Sequence, residues 1–383
     1  MPLYWIWLAQ LKGMSLLTKH QLLAEFGDAE RIYREADVTG KDLKDAMQIL
    51  ERCQNQNVRI LTFADPQYPQ RLRYMEDPPL VLYCKGTLPD WDAMPAIGVV
   101  GTRKATSYGM QTAYLMGSQI AACGGLVVSG AAAGVDAKSM EGALDASKPA
   151  VGVLGCAIDV VYPAANRRLY RRTEENGCLI SEYPPGIRTY PTCFLQRNRI
   201  ISGLSQGVLV VEAPEKSGAL STARHAMQQG RDLFVVPGNV GVESCAGSNS
   251  LLLEGAMAAL TGWDVVKHYE NLYPGIAKNS LTPVSAPQKI PQKTVQEAYA
   301  KETTTKKPID NSPKSTYSVI NKRPAGVNDQ ESGVYDLLTA APQLIDNILD
   351  ASSLPASAVQ SVLTRLVIKG LAVQHPDGRV SRK

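Results

Sequence analysis

FLQRNRIISGLSQGVLVVEAPEKSGALSTARHA, residues 194–226, decides how the chain is read. It opens on the basic cluster Arg197-Asn198-Arg199, runs into an apolar stretch from Gly207 to Val211 that reads as a buried strand, and turns through Ser217-Gly218 into a helical pattern. A strand, a turn of small residues and a helix make a ready anion site. The unpaired N–H groups of the helix's first turn point outward, and the macrodipole adds partial positive charge there. Ser217, Gly218 and Thr222 are therefore candidate phosphate ligands, and two upstream arginines are placed to clamp the same anion. The competing reading is a turn that only packs a helix on a sheet.

Outward from this stretch the same pattern repeats. From Val58 onward VRILTF, LVLYC, AIGVV, LVVS, AVGVL, CLIS, GVLVV and DLFVV read as strands, most of them alternating with helical stretches. Such alternation predicts an α/β fold with a largely parallel sheet covered on both faces. The first two runs are separated by Pro-rich turns without a convincing crossover helix, and are expected to form an added edge. Ligands bind where strand ends aim successive loops into one crevice. Gly101-Thr102-Arg103-Lys104 supplies a tight turn, a hydroxyl and a guanidinium suited to a bidentate phosphate contact. In SGAAAGVD, Ser129, Gly130 and Gly134 permit close backbone approach, whereas Asp136 would repel a phosphate and reads as a helix cap or loop organiser. Gly155, with Tyr162, Pro163 and Asn166 downstream, marks a further strand end.

The flanks differ in kind. Residues 1–56 carry helical periodicity, and LYWIWLAQL reads as a core helix rather than a signal peptide. LKGMSLLTKHQLLAEFGDAERIY resembles the helix–loop–helix of small DNA-associated modules. Ser15 stands where the second glycine of their G-x-G hairpin would be, so packing or partner contact is expected of the hairpin ahead of phosphate binding. The sheet domain is placed at 57–267. Residues 268–330, rich in Lys, Thr, Ser and Pro, are expected to be a flexible basic linker. Residues 331–383 give three helical periods and two short strands about a Pro-Asp-Gly turn, a winged helix–turn–helix. That last domain has as many acidic as basic residues and is expected to be a poor duplex binder.

Composition removes several classes. No apolar run reaches the roughly 20 residues of a membrane span, so a cytoplasmic protein without membrane association is expected. Seven scattered cysteines without a CxxC pair and four histidines argue against a zinc site or a disulfide framework. Of the formal net charge of +4, residues 271–330 hold nine Lys/Arg against four Asp/Glu, leaving 31 against 32 elsewhere. Nucleic acid would have to be met by a local patch. There is no GxxxxGK[ST] and no GxGxxG after a strand, which argues against an ATPase and a dinucleotide dehydrogenase. Glu212, which ends a strand near the crevice, is the one acid to watch, and His225 is the only histidine of the sheet domain. No catalytic residue, metal or cofactor is assigned.

Together GVVGTRKAT, VVSGAAAGVDAKSMEGAL, GCAIDVVYPAANRRLY, ISEYPPG, RNRIISGLS, VLVVEAPEKSGALSTARHAMQQGR, FVVPG and GSNSLLLEGA resemble the DNA processing protein A family, DprA/Smf, in fixed order. The resemblance implies an extended Rossmann-like domain that binds single-stranded DNA, forms homodimers, protects incoming DNA and helps load RecA recombinase in natural transformation. By position, Gly101, Thr102, Arg103, Ser129, Gly130, Gly134, Arg197, Asn198, Arg199, Ser217, Gly218 and Thr222 would line the DNA pocket. Ala164-Ala165 and Gln196 stand where relatives often carry basic residues. The alternative is an enzyme of the phosphoribohydrolase type on a related fold, but its GGxGTxxE pattern has an acid where this chain has His225.

Overall fold

The computed structural model describes residues 1–188, 190–278 and 329–339, with further segments between 343 and 382. The chain divides into two compact units, Met1–Pro291 and Gln292–Lys383.

The first unit opens with four helices, α1 (Pro2–Gln10), α2 (Leu16–Phe26), α3 (Ala29–Glu35) and α4 (Lys44–Asn55). Trp5, Ile6, Trp7 and Leu8 are all buried, as expected of a core helix. Ser15 caps α2 by accepting from the Thr18 amide, so the residue in the second hairpin-glycine position does a helix-capping job. Lys19 is buried and donates to the Ala9 carbonyl at 2.8 Å, while the His20 Nε2 meets the Pro78 carbonyl at 2.8 Å. The first bond ties α2 to α1, and the second fastens the helical module to the rest of the unit.

The sheet begins with β1 (Arg59–Thr62), the short α5 (Gln70–Arg73) and β2 (Val81–Gly86). Then follow β3 (Ala96–Val100), α6 (Ser107–Ala122), β4 (Leu126–Ser129), α7 (Val135–Asp145), β5 (Ala150–Leu154), α8 (Arg167–Asn176), β6 (Cys178–Ser181) and α9 (Pro191–Leu204). β7 (Gly207–Val210), α10 (Ala219–Gln228), β8 (Asp232–Val235), α11 (Glu243–Leu253), β9 (Met257–Ala258) and α12 (Gly262–Val266) complete it. The described strands of this unit form one nine-stranded sheet in the order β1-β2-β6-β5-β4-β3-β7-β8-β9. β1–β2 and β2–β6 are antiparallel and all other pairs parallel, so the first two runs are indeed an added edge.

Burial explains why the inner runs are unbroken apolar sequence: β3 to β7 are buried at every position, and each face meets its own core. Ile97 and Val99 pack with Met116 and Ile120 on one face, while Ala96 and Val100 pack with Ile200, Ile201 and Leu204 on the other. Helices α6 and α7 touch backbone to backbone. A Cβ on Gly117 would lie 2.0 Å from the Ser139 carbonyl oxygen, and one on Gly142 would lie 2.1 Å from that of Tyr114.

Chain order decides where a ligand can go. From β3 the chain steps outward through β4, β5 and β6, and α9 then carries it back to β7 on the other flank of β3. The β3/β7 boundary is thus a topological switch point, where the loops leaving the two strands part and open a crevice.

Beyond the expected boundary at residue 267 the fold continues. Tyr269 donates to Asp232 at 2.7 Å, Tyr273 receives a bond from Arg71 at 2.9 Å, and the Ala277 amide reaches the Cys123 carbonyl at 3.3 Å. Residues 279–328, which carry most of the expected linker, lie outside the described residues. In the second unit, helices Asp329–Leu337 and Ala356–Ile368 and the antiparallel strands Ala372–Gln374 and Val380–Arg382 enclose a core that includes Val334, Val359, Val362, Leu366 and Val380. This is the expected winged helix; its Pro-Asp-Gly turn lies outside the described residues.

Candidate nucleic-acid interface

A crevice of about 370 Å³ opens at the switch point. Gly101, Thr102 and Arg103 reach it from the turn after β3, Arg197 and Asn198 from α9, and Ser217, Gly218 and Thr222 from the turn after β7 and the start of α10. Eight of the twelve residues expected in the site therefore share one cavity wall.

Ser129, Gly130 and Gly134 lie beneath it and shape it. The Ser129 hydroxyl is fully buried and donates to the Val99 carbonyl at 2.6 Å. Gly130 gives its carbonyl to Arg197 at 2.8 Å. Gly134, at φ +81°, lets the loop after β4 press against the turn after β3, where a Cβ would sit 2.3 Å from the Thr102 carbonyl oxygen.

Helix geometry sends the two arginines of Arg197-Asn198-Arg199 apart, since residues two apart on a helix point about 200° from each other. Arg197 enters the crevice floor, buried, and ties together the carbonyls of Gly130 and Val153 at the ends of β4 and β5. Burial pushes its pKa below the usual arginine value, and the Asp136 carboxylate opposes that shift. Arg199 leaves the crevice. It grips Glu182 with both oxygens at 2.8 and 2.9 Å and Asp77 at 3.0 Å. Burial lowers its pKa, but Glu182 and then Asp77 outweigh that effect and raise it. The expectation that Arg103, Arg197 and Arg199 meet one run of phosphates thus finds Arg199 held by carboxylates on the opposite side of α9.

The loops are cross-bonded. The Thr102 amide donates to the Glu212 carbonyl at 2.7 Å, and the Thr106 amide and hydroxyl both donate to the Glu212 carboxylate at 3.1 Å. Asn198 donates to the Gly218 carbonyl at 3.2 Å, and Asn166 to that of Ala131 at 3.0 Å. Asp136 accepts from the amides of Gly101 and Ala132, and burial, the largest influence on it, raises its pKa. Asp136 is thereby a loop organiser, with Gly134 in the N-cap position of α7. Most amides of the turns are spent in this way. Among the turn residues that line the crevice, the amides of Arg103, Lys216 and Gly218 have no partner, so the backbone donors offered to an anion are fewer than a bare helix N-terminus suggests.

Three residues outside the expected set complete the wall. Lys104 and Lys216 line it beside Arg103 and Arg197, giving four cations against the single carboxylate of Asp136. Phe194 lines it too, 5.3 Å beneath the Arg103 guanidinium and 5.1 Å from the half-exposed ring of Tyr162. Helical spacing was the available signal: Phe194, Arg197 and Asn198 stand at i, i+3 and i+4 on α9.

A switch-point crevice with surplus cations and fixed donors, on a doubly covered parallel sheet joined to a winged helix, defines a class of Rossmann-like proteins that hold phosphate groups. Comparison with known proteins makes it particular. The family model of DNA recombination-mediator protein A matches residues 59–270, and that of the DprA winged helix domain matches residues 321–378. Protein Smf of Synechocystis sp. is 31% identical over 405 residues, covering 99% of this chain and 98% of its own. DNA processing protein DprA of Bacillus subtilis is 36% identical over 217 residues, 57% of this chain and 73% of its own. The crystal structure of DNA processing protein A from Streptococcus pneumoniae superposes with a TM-score of 0.62 at 29% identity, covering 70% of this chain and 98% of that one. The Helicobacter pylori protein, whose structure concerns its single-stranded DNA binding mode, gives 0.51 at 30% identity, covering 56% and 97%. The chain belongs to the DprA/Smf family of DNA processing proteins.

Proposed function

We propose that the switch-point crevice binds single-stranded DNA through its phosphate backbone, and that the protein serves recombination by binding, with no chemistry of its own. The carrying observation is the charge of the crevice, four cations facing one carboxylate that two amides already engage. In a chain whose residues outside 271–330 are otherwise balanced, such a local excess is where a polyanion is drawn. Ring faces at Phe194 and Tyr162 suit unstacked bases, which a duplex does not offer. The Helicobacter pylori relative supports the same ligand. Glu212 and Asp136, the nearest acids, are held in loop hydrogen bonds, which supports binding over catalysis. The family resemblance extends the reading to protection of incoming DNA and loading of RecA by a cytoplasmic homodimer during natural transformation.

Filter binding of single-stranded against duplex DNA, run beside a nucleotide-hydrolysis assay, tests the proposal. Preference for the single strand without hydrolysis is expected. Equal binding of duplex, or turnover of a nucleoside monophosphate, would overturn it.

A further inference from the structure

A second cavity, of about 630 Å³, lies across α9 from the crevice, against the N-terminal helices. Helices α9 and α10 present one face to each space. Asn198, Gly218 and Thr222 line the crevice, whereas Gln196, Arg199, Ser221 and His225 line the second cavity. Leu195 lines both and is 52% exposed, which makes it the sill between them. A helix with its side chains is about 10–12 Å across, so a strand held in the crevice has its next nucleotides within reach of this cavity.

The chemistry of the two spaces differs. Lys19 and Arg199 are matched by Asp77 and Glu182, and Arg199 is already gripped by both carboxylates. The balanced charge gives a phosphate no reason to enter. Leu16, Leu80, Val81 and Leu195 supply apolar walls, while Gln10, Gln196, Ser221 and His225 supply hydrogen-bonding edges. Arg199 also keeps a buried Nη1 without a hydrogen-bonding partner. Apolar walls with polar edges and one spare donor fit a flat, uncharged heterocycle.

We propose that this cavity takes one nucleobase of the single strand whose phosphates the crevice holds, swung over Leu195; the inference rests on the crevice reading. The full-length protein is titrated with a deoxythymidine homopolymer and with the same backbone made abasic, at several salt concentrations. Ser221→Trp, which fills the cavity, is expected to weaken homopolymer binding about tenfold, as loss of one stacked base does, and to leave abasic binding and the salt slope unchanged. Gln196→Ala, which removes an edge without adding bulk, is expected to shift in the same direction and serves if Ser221→Trp does not fold. Unchanged homopolymer binding in the folded variants would overturn the proposal, as would equal losses on both strands. A wild-type protein that binds neither strand refutes the crevice reading, and this inference with it.

Discussion

Replacing Arg103 and Arg199 in turn by Ala separates the two roles that the arginines divide between them. Arg103 is exposed, has no carboxylate partner among the described residues and rests on Phe194 at 5.3 Å, so its loss should cost at most about 1 kcal/mol of stability. If it meets one phosphate, the slope of log affinity against log salt should flatten by about 0.7. A fourfold rise in salt should then erode wild-type affinity about 2.6 times more than that of the variant. Arg199→Ala should do the reverse. It leaves Glu182, whose side chain is only 22% exposed, beside a vacated cation site, with Asp77 nearer solvent at 48%. Breaking a buried pair costs about 3–5 kcal/mol, and the partial exposure of Glu182 places this one near 3. For a unit of this size that lowers the melting temperature by about 6–12 °C with no change in salt slope. Anisotropy titrations of a labelled single strand across salt, paired with thermal melts, read both quantities. An Arg103→Ala variant that melts early with its slope intact would refute the reasoning, as would an Arg199→Ala variant that keeps its melting point and flattens the slope.

Further outcomes are expected. A fragment of residues 1–278 should keep most of the single-strand affinity of the full chain by filter binding. Ending it at 267 should lower its melting temperature, because Asp232 and Arg71 lose Tyr269 and Tyr273 as partners; equal melting would show that the segment packs without holding. Gly134→Ala should destabilise the unit by about 1–3 kcal/mol and weaken DNA binding, since the backbone at φ +81° and the Thr102 carbonyl both exclude a side chain; a wild-type melt would contradict this. Burial lowers the pKa of His20 below 6.5, so the unfolded chain takes up its proton first and stability falls as pH drops below that value. His20→Gln should therefore lose less melting temperature than wild type between neutral and mildly acid buffer, and an identical loss would place the acid sensitivity elsewhere.

Much of this was legible because the informative residues are local. Each of the eight apolar runs became a strand, and the turns at Arg103 and Ser217 fell at one end of the sheet because parallel strands open their C-terminal loops together. β9 was missed since two residues, Met257 and Ala258, carry no periodicity. The fate of Arg199 was hidden for a different reason: its acids arrive from a loop before β2 and from the end of β6, and no local pattern ties them to an Arg-Asn-Arg run. Helical geometry did say that the run must split. From the run Arg197 reads as the less secure of the two, yet Arg199 is the one that turns away, because the choice depends on which side of α9 faces the carboxylates. The boundary at 267 slipped because Tyr269 and Tyr273 are isolated aromatics in a segment whose composition otherwise resembles a tether.

The cross-bonded loops bear on how a strand is taken up. With Thr102 fastened to Glu212, Arg197 to Gly130 and Asn198 to Gly218, no loop can adjust without disturbing its neighbours. The protein side of the encounter is preorganised, so the ordering entropy of association falls almost wholly on the DNA. A flexible backbone can adopt the required path whatever bases it carries, whereas a paired, stiff segment would first have to melt. Hairpins should accordingly be bound at the rate at which they open, and a rigid groove becomes a kinetic filter for unpaired strand.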